Sequence, residues 1–100
     1  MNRLKGKRVL ITGATAGIVK ALAFLLAADW CDLVLNGRRE KRLQELVSEL
    51  QKKHPFQEFE LFLGDVGDKQ GVQTFFEARD ASKPIDILVN NAGFALGVDP

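Results

Sequence analysis

Four short apolar runs alternate with three stretches of helical period, and this alternation is what most limits the folds open to the chain. Residues 7–12 (KRVLIT) have a β-branched apolar centre and run into the small residues of positions 13–17, the pattern of a buried strand ending in a tight loop. Residues 18–28 are rich in Ala and Leu, with Ala21, Phe24, Leu25 and Ala28 at helical spacing, so a helix packed on most sides is expected. Residues 31–35 read as a second strand, ended by Asn36 and Gly37 as turn chemistry. Across residues 40–53, Leu43, Leu46, Val47 and Leu50 form one apolar stripe with charges opposite, and His54-Pro55 stops that helix. Phe59, Leu61 and Leu63 alternate as a third strand up to Gly64. Asp68 then has the chemistry of an N-cap for a helix carrying Val72, Phe75 and Phe76, which Gly71 weakens by about 1 kcal/mol relative to Ala. Beyond Ser82, Lys83 and Pro84, residues 85–89 make a fourth strand that meets Asn90, Asn91, Ala92 and Gly93.

Strands that read as continuous apolar runs between helices demand a parallel sheet covered on both faces. Right-handed crossovers then give an α/β, doubly wound sheet of four strands in the order 3-2-1-4. With 100 residues the chain is one domain or part of one.

Composition removes several function classes. Fourteen basic against thirteen acidic side chains leave a net charge of +1, without the basic excess that binding to nucleic acid requires. The longest apolar run, residues 21–28, is far short of the roughly 20 residues of a membrane span, and the basic start lacks a cleavage pattern, so a soluble, unprocessed, cytoplasmic chain is expected. One cysteine, Cys31, excludes an internal disulfide and a multi-cysteine metal site, and at the head of an apolar run it reads as a small buried hydrophobe.

The chemistry sits where the first strand ends, in Thr12, Gly13, Ala14, Thr15, Ala16, Gly17 and Ile18. A strand turning through glycines into a helix presents free backbone N–H groups and the positive end of the helix dipole to a pyrophosphate. Gly13 permits the turn and Gly17 lets the backbone approach the phosphates. No Gly-Lys-Ser/Thr follows at the spacing of a nucleoside triphosphatase, since Lys20 lies three beyond Gly17. An acid at the end of the second strand would accept the ribose 2′-hydroxyl of NAD, whereas Arg pairs with the 2′-phosphate of NADP. Here Asn36, Gly37, Arg38 and Arg39 come before the first acid, Glu40, which favours NADP.

These residues together resemble the amino-terminal half of the short-chain dehydrogenase/reductase family, whose fold is Rossmann-like. The family's nucleotide loop is matched by Thr12, Gly13, Gly17 and Ile18, its adenine-contacting Asp by Asp65 with Val66 after the third strand, and its Asn-Asn-Ala-Gly signature by Asn90, Asn91, Ala92 and Gly93. The resemblance implies that Asn91, Ala92 and Gly93 border the cofactor and that the parent enzyme moves hydride between NADP and a small alcohol or carbonyl. The stretch NNAGFALG is most similar to enzymes acting on 3-hydroxy acids or serine. The family's Tyr, Lys and Ser lie beyond that signature, and no Tyr occurs in this sequence, so no catalytic residue is nominated. His54 is read as a helix terminator.

Two departures stand out. Val19 replaces the family's third glycine, which puts a β-branched side chain at a close-packed position and predicts overpacking costing about 1–3 kcal/mol. Asp29 and Trp30 stand at a corner where Gly is usual, so Trp30 is either strained or has moved the corner, and it either anchors a protein contact or folds onto its own helix. An uncovered edge at the fourth strand and an uncovered apolar face predict a homo-oligomer. Three readings follow: an NADP(H)-binding half-domain, a self-assembling α/β module with weak or no cofactor binding, and a methyltransferase-like nucleotide domain, which leaves Arg38 and Arg39 unexplained.

Overall fold

The computed structural model describes residues 3–13 and 17–91. Its elements run β1 (Arg8–Thr12), α1 (Gly17–Ala28), β2 (Asp32–Gly37), α2 (Glu40–Lys53), β3 (Phe59–Leu63), α3 (Lys69–Ala78) and β4 (Ile87–Asn90). The strands form one sheet in the order β3-β2-β1-β4, and every pairing is parallel. The expected doubly wound topology is therefore what the chain adopts.

Inner and outer strands differ in burial as that order requires. All five residues of β1 are buried, whereas β4 alternates between half-buried and exposed positions. On one face, α1 contributes Val19, Ala23 and Ala27, and α2 contributes Leu43, Leu46 and Leu50, to a cluster with Val9, Ile11, Cys31, Leu33 and Leu35. On the other, Leu10, Val34 and Phe62 are buried beneath Val72 and Phe75 of α3. Phe62 and Phe75 stack with ring centroids 4.1 Å apart, while Phe76 turns to solvent at 43% exposure.

Two strand ends differ from the sequence expectation. Asn36 and Gly37 continue β2 instead of ending it, because the Asn36 amide is consumed by β3 and Gly37 lets Leu43 of α2 pack 3.3 Å from where a Cβ would stand. The fourth strand begins at Ile87, two residues late. Asp86 is tied to Arg8 from both its backbone N–H and its carboxylate, each at 2.8 Å, and Ile85 packs into the second cluster.

At the end of α1, Trp30 takes φ 67°, a left-handed conformation that disfavours side chains bearing a Cβ. Its N–H donates to Ala27 O at 3.0 Å and the Cys31 N–H to Leu26 O at 3.1 Å, the paired bonds of a Schellman helix end. The corner thus survives with Trp in the glycine position. The indole is 47% exposed, with Lys5 Nζ 5.8 Å from the ring centroid. Cys31 is fully buried, and burial together with Asp29 and Asp32 pushes its thiol above the ordinary range. His54 is the C-cap of α2, its N–H donating to Leu50 O at 2.8 Å. No described helix is long and apolar enough to cross a membrane.

Candidate functional site

Parallel strands bring their carboxyl ends to one edge of the sheet, and three corners of different character meet there. The first follows β1. Gly13 has φ 67°, the left-handed turn that only glycine adopts without strain, and α1 begins at Gly17. Among the described residues outside its own helix and chain neighbours, no atom lies within 4 Å of where a Gly17 Cβ would stand. Ile18 is 87% exposed beside it. The expected loop residues Ala14, Thr15 and Ala16 lie outside the described residues. Val19 points the other way, 4% exposed within the apolar cluster under α1.

The second corner joins β2 to α2. Arg38 and Arg39 are both exposed, and Arg39 is the N-cap of α2 with no side-chain cap hydrogen bond. Among the described residues neither guanidinium has an ion-pair partner. Two unpaired cations beside the positive end of a helix dipole repel one another and the dipole until an anion joins them.

The third corner joins β3 to α3. Gly64, at φ 142°, bends the chain out of the sheet. Asp65 is exposed and accepts the Gly67 N–H on Oδ1 at 2.7 Å, while Val66 packs inward against the second cluster. Asp68 caps α3 as expected, Oδ1 accepting from Gly71 N–H at 3.2 Å. Across the sheet, the Thr12 hydroxyl lies 3.2 Å from Asn90 Oδ1 and 3.4 Å from Val89 O, joining the ends of β1 and β4. Asn91 is half-buried just beyond, and Ala92 and Gly93 lie outside the described residues.

The amino edge of the sheet is charged but closed. Arg8, 8% exposed, reaches Glu58 at 2.6 Å and Asp32 at 3.3 Å. Lys83 meets Glu58 at 2.8 Å, and this hydrogen bond holds the Glu58 carboxyl below its ordinary range. Arg79 grips both oxygens of Glu60, at 2.7 and 3.1 Å, which raises the arginine further. Charges at this edge satisfy one another, whereas those at the carboxyl edge face outward. The buried bonding of three polar residues goes beyond what the sequence predicts: Arg8, Asn36 and Gln57, whose buried amide donates to Ala27 O at 2.9 Å and Cys31 O at 2.7 Å. A polar residue inside an apolar run was the available signal for Arg8 and Asn36; Gln57 carried none.

The model of the short chain dehydrogenase family matches residues 7–99. The chain belongs to that family. The NADP-dependent 3-hydroxy acid dehydrogenase of Schizosaccharomyces pombe is 41% identical over 101 residues, covering 99% of this chain and 39% of the relative. Serine 3-dehydrogenase of Agrobacterium fabrum is 39% identical over 93 residues, covering 92% of this chain and 35% of the relative. Among solved structures, L-sorbose reductase from Gluconobacter frateurii complexed with NADPH and L-sorbose superposes with a TM-score of 0.77 at 31% identity, over 87% of this chain and 33% of that one. The chain thus spans between a third and two-fifths of the relatives it matches.

Proposed function

We propose that these residues form the NADP(H)-binding half of a short-chain oxidoreductase, a partial dinucleotide-binding domain whose whole protein transfers hydride between NADP and a small alcohol or carbonyl compound. The observation that carries this reading is the unpaired Arg38 and Arg39 pair at the start of α2, on the edge where β1 ends before Gly13 and α1 begins at Gly17. In this reading the backbone of Gly13, Ala14, Thr15, Ala16, Gly17 and Ile18 cradles the pyrophosphate. Arg38 and Arg39 take the 2′-phosphate. Asp65 and Val66 meet the adenine, and Asn91, Ala92 and Gly93 border the rest of the cofactor. Bound NADP(H) supplies or accepts the hydride; the assigned residues bind and orient it. NADP dependence in the hydroxy acid dehydrogenase and bound NADPH in the sorbose reductase support the choice of cofactor.

Calorimetric titration with NADPH and NADH tests it. Replacing both Arg38 and Arg39 by Ala is expected to weaken NADPH by about 1.5–3 kcal/mol, the worth of charge-assisted hydrogen bonds, and to leave NADH unchanged. Equal affinity for the two cofactors before substitution overturns the reading.

A further inference from the structure

One polar side chain at the carboxyl edge has no part in the cofactor contacts assigned above. Asn36 is 2% exposed and stands on β2 in register with Phe62 of β3. Its Nδ2 donates to two carbonyls, Phe62 O at 2.9 Å and Gly64 O at 3.0 Å. These lie on either side of the last strand residue, Leu63, so one amide holds the chain both before and after β3 leaves the sheet. The Gly64 N–H returns the tie to Gly37 O at 3.0 Å. Asp65 follows directly on one side of this knot, and Arg38 and Arg39 follow Gly37 on the other.

We infer that Asn36 is a positioning residue, setting the spacing between the guanidinium corner of β2 and the aspartate corner of β3; this rests on the NADP(H) reading above. A ligand that touches both corners gains from having their separation fixed before it arrives, whereas a ligand that touches one is indifferent to it. The position also rejects an acid. A carboxylate there would set two acceptor oxygens against two carbonyls, with no proton between them at neutral pH.

The experiment compares 2′,5′-ADP, which spans both corners, with 5′-AMP, which lacks the 2′-phosphate, by calorimetry on the full chain. Asn36→Ala is expected to weaken 2′,5′-ADP by about tenfold or more and 5′-AMP by less than about twofold, and Asn36→Ser, which keeps one donor, is expected to recover part of the loss. A purely structural role lowers both ligands alike, and that result, or no loss for either, overturns the inference. Far-UV circular dichroism establishes whether Asn36→Ala folds; if it does not, Asn36→Ser decides alone, by whether the ratio of the two affinities changes. A chain that prefers 2′,5′-ADP unchanged in the folded variants refutes the role of Asn36 only. A chain with no such preference before substitution refutes the NADP(H) reading, and this inference with it.

Discussion

The two faces of the sheet are held by different physics. Beneath α1 and α2, eleven buried residues form one apolar cluster in which Leu33, Leu35, Leu43 and Leu50 are at most 1% exposed. Beneath α3 the buried apolar cluster among the described residues is Leu10, Val34 and Phe62, and Leu88 of β4 is 58% exposed. The second face has ionic ties in addition: Arg8 to Asp32 and Glu58, Lys83 to Glu58, and Arg79 to Glu60, along its amino edge. Apolar burial dominates the first face, where the ion pair between its helices, Lys20 to Glu49 at 3.6 Å, joins two half-exposed side chains. The second combines a small core with charge pairs, and its stability should depend on solution conditions more than that of the first.

The largest expected effect tests that contrast directly. Leu50→Ala on the first face should cost about 2–5 kcal/mol in urea unfolding, by transfer and cavity together. Phe75→Ala on the second, where the ring is half-buried and stacked on Phe62, should cost about 1–2 kcal/mol, most of it the lost ring pair. Equal costs would break the comparison. Next comes Val19→Gly, which restores the family's glycine but empties a buried position. It should destabilise the chain by about 2–3 kcal/mol, from lost burial and added helix flexibility. A gain in stability would instead bear out the overpacking expected from the sequence.

Leu88→Lys probes the open part of the second face. Its effect on unfolding should stay within about 0.5 kcal/mol, because the side chain already meets solvent. Sedimentation equilibrium should nonetheless show the unaltered chain self-associating and the variant shifted toward monomer. A compact monomer before substitution would remove this expectation. The smallest effect is acid sensitivity at the charged edge. Because Lys83 lowers the Glu58 carboxyl below its ordinary value, the stabilisation is complete above that ordinary value and is lost as pH falls through the depressed one. Glu58→Gln should flatten the pH dependence of the urea midpoint across that acid window.

The fold was legible because burial pattern and topology are coupled. Once β1 and β2 read as apolar runs between helices, the parallel order followed, and α2 and β3 fell where their periodicity placed them. Less legible were the strand ends, where a side chain and not a period decides. Asn36 looked like a turn former, yet a partner strand 26 residues away makes it a strand residue. Arg8 fell within the first strand by its pattern, but its partners Asp32 and Glu58, distant in sequence, are what bury its charge. At the site, Arg38, Arg39 and Asp65 emerged on the expected edge because loops after parallel strands have nowhere else to go. That Asn36 ties two of those corners together depends on which side chains share a face, which only register reveals.

The order β3-β2-β1-β4 also has a consequence for how the protein is made. Arg8 finds its strand partners at Asp32 on one side and, through Asp86, 78 residues onward on the other. No neighbouring strands can zip together as a hairpin, so every ladder waits for a helix to be synthesised first. The first strand to leave the ribosome therefore keeps one edge unclaimed until β4 emerges, an exposed edge during elongation of the kind that invites mispairing.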